Sequence, residues 1–301
     1  MKNGAVPGDL GDTSYNRSFA AAVFLNGAFL AIEAVYGLLA GSLALVADAG
    51  HNFSDVLGLL LAWGASVAAR RPPTARHTYG FRRGTILAAL SSAILLLMAL
   101  GIIGWEAVGR LVRGTAVDSA VMAIVAAIGV GINAATALLF LSGRKRDLNI
   151  RAAFLHMSAD AGVSLGVVAA ALLIGATGWL WLDPVLSLGI VAVILVGTWG
   201  LLRDSANLAM DAVPAGIDPG AVREFLASFP RVAEVHDLHI WGMSTTETAL
   251  TAHLVMPLPP PDDCFIQDAT EGLRERFGIV HATLQIETGK TPCEQAPPER
   301  V

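Results

Sequence analysis

Two copies of one phrase carry the chemistry of this chain: His51 with Asp55, and His156 with Asp160. Each pair offers one imidazole nitrogen and one carboxylate oxygen. On a helix, residues four apart stack one turn above the other, so both members of a pair share a face. Two such helices facing one another supply two nitrogens and two oxygens, a four-coordinate set suited to Zn2+. Both pairs lie in long apolar stretches. An Asp at the centre of a membrane span costs roughly 3 kcal/mol on insertion scales and rarely persists without a function. Two other readings stay open for the same residues: hydrogen-bonded clusters that only hold helices together, and a proton relay.

Neighbouring polar residues extend the pattern. Asp48, His51, Asn52 and Asp55 form one stripe of a helix, and Ser164 continues the face of His156 and Asp160. Asp48 either orients the His51 imidazole from behind or faces the outer aqueous mouth. Asn26 and Glu33, two turns apart, read as helix–helix hydrogen-bonding groups. Asp183, ahead of Pro184, reads as the N-cap of its own helix.

The elements that must hold these residues are membrane spans. Of 301 residues, 54% are hydrophobic and 15% charged, and the mean hydropathy is +0.60. That composition describes a polytopic membrane protein, not a soluble enzyme. Six apolar runs predict six transmembrane helices: Phe19–Ala40, Leu43–Ala69, Thr85–Trp105, Val117–Leu141, Ile150–Ala176 and Leu180–Leu202. The first 16 residues lack the shape of a signal peptide, so the first span is expected to stay in the mature protein. Basic residues gather in alternate loops: Arg70, Arg71, Arg76, Arg82 and Arg83 after the second run, and Arg144, Lys145 and Arg146 after the fourth. The loops after the first and fifth runs have none. This asymmetry puts both termini in the cytoplasm, with Arg110 and Arg113 snorkelling at the outer interface.

Charge divides the chain. Residues 1–203 carry 14 Lys and Arg against 10 Asp and Glu, whereas residues 204–301 carry 6 against 15. A membrane domain followed by an acidic soluble domain fits that break. The predicted organisation is an N-terminal cytoplasmic tail at 1–18, a six-helix transmembrane domain at 19–203, a cytoplasmic domain at 204–290 and a flexible tail at 291–301. The pI of about 5.8 argues against a nucleic-acid partner. The two cysteines, Cys264 and Cys293, imply no disulfide framework.

The acidic part reads as α-β-β-α-β: a helix over 219–228, strands over 233–241 and 248–256, an amphipathic helix over 262–277, and a strand over 283–287. It holds four of the seven histidines: His236, His239, His253 and His281. Strand parity predicts that His236 and His239, three apart, point to opposite faces of the sheet. His253 and Glu287 lie on other strands, within reach of either.

The combination resembles the cation diffusion facilitator family. The resemblance rests on Ala47-Asp48-Ala49-Gly50-His51-Asn52-Phe53-Ser54-Asp55, His77-Thr78-Tyr79-Gly80-Phe81-Arg82, Trp105-Glu106-Ala107, His156-Met157-Ser158-Ala159-Asp160 and Val235-His236-Asp237-Leu238-His239-Ile240-Trp241. It covers nearly the whole chain in order. It implies six transmembrane helices, a cytoplasmic ferredoxin-like domain, a homodimer in the cell (inner) membrane, and export of divalent metal against protons. The implied transport site is His51, Asp55, His156 and Asp160. Histidine in both motifs is similar to the zinc branch of the family. A broader divalent exporter taking Cd2+, Co2+ or Ni2+, and a non-transporting metal sensor, are the alternatives. The resemblance also matches His236 and His253 to positions that bind regulatory zinc, with His281 or Glu287 completing the set; structural strand histidines are the bland alternative. The loop after the second span keeps only His77 of a metal site seen in some members, with Phe81 where a second His would stand. No His-Glu-x-x-His motif or comparable general base supports a zinc hydrolase.

Overall fold

The computed structural model describes residues 12–69, 71–141, 148–259 and 263–294. Six long helices come first: α1 (Asp12–Ala40), α2 (Leu43–Ala69), α3 (Gly84–Arg113), α4 (Ser119–Phe140), α5 (Leu148–Thr177) and α6 (Leu182–Ala209). The remainder is α7 (Pro219–Ala227), β1 (Glu234–Gly242), β2 (Thr248–Val255), α8 (Cys264–Phe277) and β3 (Ile279–Glu287). Among the described residues, four stretches are long and apolar enough to cross a membrane: Gly84–Arg113, Ser119–Leu139, Phe154–Thr177 and Leu182–Ala209. Within α1, Asn26–Ala40 is a shorter apolar stretch.

The chain packs as two units, residues 1–59 with 92–199, and residues 60–91 with 200–301. In the first, α4 runs along α5 and also packs on α1. Its core includes Phe29, Leu45, Leu100, Met122, Val167 and Ile174. Gly129 on α4 is where three helices meet. A Cβ there would lie 2.7 Å from the Phe29 ring of α1 and 3.2 Å from Ser164 Oγ of α5. A small residue at such a crossing lets backbones approach, which is how helices associate where lipid removes the hydrophobic drive.

Buried Asp183 corrects an expectation. It does not cap its own helix, since Leu182 already begins α6. Its carboxylate accepts hydrogen bonds from Leu43 N at 2.9 Å, Ala44 N at 3.2 Å and Ser42 Oγ at 2.6 Å. It therefore caps α2, whose first amides have no partner within their own helix and carry the positive end of the dipole. Arg110 and Arg113 are paired rather than simply snorkelling. Arg110 Nε donates to Glu106 Oε1 at 3.0 Å and Arg113 Nη2 to Glu106 Oε2 at 3.2 Å. Arg110 also donates to the carbonyl of Gly41, a turn residue at φ +67°.

The second unit contains the small α+β fold in the expected element order. The sheet order is β1-β2-β3, with β1 antiparallel and β3 parallel to β2. Val222, Leu226, Leu250, Leu254, Ala269 and Leu273 form a core between one sheet face and α7 with α8. Asp218 caps α7 through Gly220 N at 2.9 Å, and Gly278 ends α8 in the left-handed region at φ +69°. β3 starts at Ile279, four residues ahead of the expected Thr283, because the chain leaves that cap directly into the strand. The connection from α2 to α3 belongs to this unit. Arg82 Nη1 lies 2.8 Å from Glu247 Oε1, Arg83 pairs with Asp211, and Thr245 N donates to Thr85 Oγ1 at 3.1 Å.

Strand parity fails in β1. His236 pairs with His253 and His239 with Thr251, three steps on one strand against two on the other. This is a β-bulge, with Asp237 at φ +48°. The extra residue returns His236 and His239 to one face, the face opposite the α7–α8 core. Asp is among the few non-glycine residues that take this conformation cheaply.

Candidate functional site

The first site grows out of α2 and α5. His51 extends from the third turn of α2, and His156 and Asp160 from successive turns of α5. His51 Nε2 is 3.7 Å from Asp160 Oδ1, and His156 Nε2 is 3.6 Å from Asp160 Oδ2. The two imidazole rings stand 5.8 Å apart, edge to face. One ligand atom from each of the three residues lies within 4.8 Å of the others. Ligands about 2.0 Å from a shared tetrahedral zinc stand roughly 3.3 Å apart, so these separations suit a common ion. Asp160 is 4% exposed, and its Oδ2 accepts no hydrogen bond. A buried carboxylate oxygen without a donor fits a cation in that role. Asp55 occupies α2 one turn beyond His51; its side chain lies outside the described residues.

A polar layer surrounds this centre. Asp48 Oδ2 accepts a hydrogen bond from Ser164 Oγ at 3.2 Å. Glu33 Oε2 accepts from Asn52 Nδ2 at 3.2 Å. Asn26 Nδ2 reaches Thr136 Oγ1 at 3.4 Å and Met157 Sδ at 3.7 Å, so Asn26 and Glu33 do bond between helices.

A second cluster sits on the open face of the sheet. His236 Nε2 is 3.3 Å from Glu287 Oε2, and His253 Nδ1 is 3.1 Å from Glu287 Oε1. Cys293 Sγ lies 3.6 Å from His253 Nδ1. His236, His253, Glu287 and Cys293 bring ligand atoms within 4.8 Å of one another. Both histidines are buried, and neither ring nitrogen of His236 makes a hydrogen bond. Burial pushes the Glu287 carboxyl up, but Gln285, Cys293, His236 and His253 outweigh it and hold the group below the usual carboxylate range. It therefore keeps its charge into mild acid, as a metal ligand must. Asp237, re-aimed by the bulge, lies 3.3 Å from His253 Nε2 and 2.9 Å from His239 Nε2. A carboxylate on the far side of an imidazole fixes its orientation and raises its basicity.

Not every residue singled out by sequence joins a cluster. His281 sits against Tyr79, ring centroids 5.6 Å apart. On β3 it pairs with Ala249, while Glu287 pairs with Val255 at the other end of the strand. His77 rests on Phe81 at 4.8 Å in a turn closed by Gly80 N to His77 O at 2.9 Å; among the described residues it belongs to no group of three or more metal-ligating side chains. Sequence reasoning missed Cys293, which it assigned to a tail, and Asp237. For Cys293 a lone cysteine carries no spacing signal; for Asp237 the bulge was invisible to parity.

Comparison with known proteins agrees with this architecture. Residues 19–208 match the cation efflux transmembrane domain, and residues 214–289 match the cytoplasmic domain of cation efflux proteins, a dimerisation domain. The chain is 36% identical to the cation efflux system protein CzcD of Alcaligenes sp. (strain CT14), over 93% of its own length and 88% of that protein's. It is 38% identical to the zinc transporter ZitB of Escherichia coli (strain K12), covering 88% and 84%. It is 35% identical to a cadmium, cobalt and zinc/H(+)-K(+) antiporter of Bacillus subtilis (strain 168), covering 86% and 85%. Proteins of the cation efflux family are multi-pass membrane transporters and not enzymes. The chain belongs to the cation efflux family.

Proposed function

We propose that this protein exports Zn2+ from the cytoplasm in exchange for protons, by alternating access. The observation that carries the reading is the convergence of His51 from α2 with His156 and Asp160 from α5. In this reading all of α1–α6 span the inner membrane, both termini are cytoplasmic, and Asp55 completes the transport site. Zinc enters from the cytoplasmic side and binds deprotonated ligands, so binding releases protons. After the bundle rocks, protons from the opposite side compete for the two imidazoles, whose intrinsic pKa near 6.5 suits release close to neutrality. The protonated site then returns. The C-terminal unit is the ferredoxin-like half of a homodimer, and His236, His253, Glu287 and Cys293 hold a regulatory zinc there.

A second reading keeps the mechanism and widens the cargo. Affinity alone does not separate Zn2+ from Co2+ or Ni2+ at a nitrogen–oxygen site, and the Bacillus relative is named for three metals. The experiment is zinc accumulation in a zinc-sensitive, exporter-deficient cell. Expression of the chain should lower accumulated zinc and restore growth, with Cd2+ and Co2+ tested in parallel. Unchanged accumulation of all three metals contradicts an exporter and leaves a non-transporting sensor.

A further inference from the structure

We infer that the C-terminal cluster is a redox-gated metal site: hydrogen peroxide oxidises Cys293, and the cluster then releases its zinc. The inference rests on the regulatory-zinc reading above and adds how that ion is let go. Three of the four ligands stand on the sheet, His236 on β1, His253 on β2 and Glu287 at the end of β3. The two imidazole rings meet edge to face, 5.4 Å between centroids. His236 is 6% and His253 7% exposed, and both ring nitrogens of His236 lack a hydrogen-bond partner. A buried imidazole left in that state points to a cation shared with its neighbours. The fourth ligand is built differently. Cys293 follows β3 on a connection without regular structure. Gly289 turns that connection at φ +72°, and a Cβ there would lie 3.1 Å from Val255 Cγ1 of β2, so this tight return suits glycine. It lays the sulfur 3.6 Å from His253 Nδ1.

Of the four ligands, Cys293 alone has redox chemistry within reach of a mild oxidant. It is only partly covered, whereas the histidines are buried, so a molecule the size of hydrogen peroxide has access to the sulfur. The thiolate that binds zinc is also the form that attacks peroxide. The sulfur attacks one peroxide oxygen, an S–O bond forms, the O–O bond breaks and hydroxide leaves. Sulfur gives up two electrons and the peroxide takes them. The product is a sulfenic acid, which no longer offers zinc an anionic soft donor. The chain has one other cysteine, Cys264. It begins α8, whose Ala269 and Leu273 pack in the core on the opposite face of the sheet. Among the described residues no second thiol joins the cluster, so the sulfenic acid persists until a reductant arrives from solution. Reduction followed by zinc rebuilds the site.

The test uses the full protein in detergent, loaded with zinc and freed of excess, beside Cys293→Ser and Cys264→Ser. Each is exposed to hydrogen peroxide while a zinc-sensitive dye follows release and dimedone traps sulfenic acid for mass spectrometry. The unaltered protein and Cys264→Ser should release about one zinc per chain, in step with the trapped adduct at Cys293. Without dimedone, a phosphine reductant should restore binding. Cys293→Ser should release none in response to peroxide. Equal release from Cys293→Ser and the unaltered protein overturns the inference, and so does release from the unaltered protein with no adduct at Cys293. A second measurement covers a serine variant that folds poorly or holds no zinc in the cluster. Iodoacetamide labelling of Cys293 in the unaltered protein should slow at least about tenfold when zinc is bound. Labelling at equal rates with and without zinc removes Cys293 from the ligands, and the regulatory-zinc reading in this form fails with it. Slowed labelling without release by peroxide leaves that reading standing and overturns this inference alone.

Discussion

The carboxylate of Asp160 reaches both imidazoles, 3.7 Å from His51 and 3.6 Å from His156. In the proposed transport site it is the shared anion, and no neutral side chain replaces its charge. Asp160→Asn should bind zinc more than tenfold more weakly, on the order of the largest losses seen for supporting residues, while the protein still inserts. Equilibrium binding to purified protein checks this. In the C-terminal cluster, Cys293 supplies the one soft ligand. Cys293→Ser should lower zinc affinity of that cluster roughly tenfold, and His281→Ala should leave it unchanged, since His281 faces Tyr79 instead. Chelator competition with each variant reads the difference; the reverse pattern contradicts the assignment. How far the sequence exposes these residues follows from their physics. The two His-Asp phrases stand out because charge is rare in apolar spans, and three of their four side chains do converge. Cys293 carries no such contrast, and it joins the cluster only because the chain after β3 turns back toward His253.

At the level of elements, the close approach of α1, α4 and α5 depends on Gly129. Gly129→Leu forces a side chain into the Phe29 ring and should cost about 1–3 kcal/mol, seen as a lower melting temperature in detergent. Asp183→Ala uncovers the amino terminus of α2 and should cost about 1–2 kcal/mol. An unshifted melting temperature in either variant removes that contact from the account. Both contacts are long-range, so apolar run lengths predict the helices without revealing them. Asp183-Pro184 carries an ordinary N-cap signature, yet the cap serves a helix far away in the chain. The bulge in β1 is the sharper case. A single residue at positive φ reverses every parity argument downstream of it, and aspartate as a residue type takes this conformation only occasionally.

At the scale of the molecule, charge asymmetry and element order foretell the two-part architecture, and the family match over residues 19–208 and 214–289 agrees with it. The packing adds that the α2–α3 connection travels with the C-terminal unit, held by Arg82 to Glu247 and Arg83 to Asp211. Loop composition shows only that this segment is basic; which acidic groups it meets depends on the folded sheet. If zinc binds the C-terminal cluster of a homodimer, it favours the folded state by mass action. Chelation should lower the melting temperature of the intact protein, and light scattering should give the mass of two chains. The central claim, that the His-Asp centre inside the membrane carries zinc against protons, has one direct measurement. It is zinc flux into vesicles with an acidic interior, compared between the unaltered protein and Asp160→Ala. The account predicts rapid flux that collapses when the pH gradient is dissipated, and none above background in the variant. Equal flux through both would contradict it.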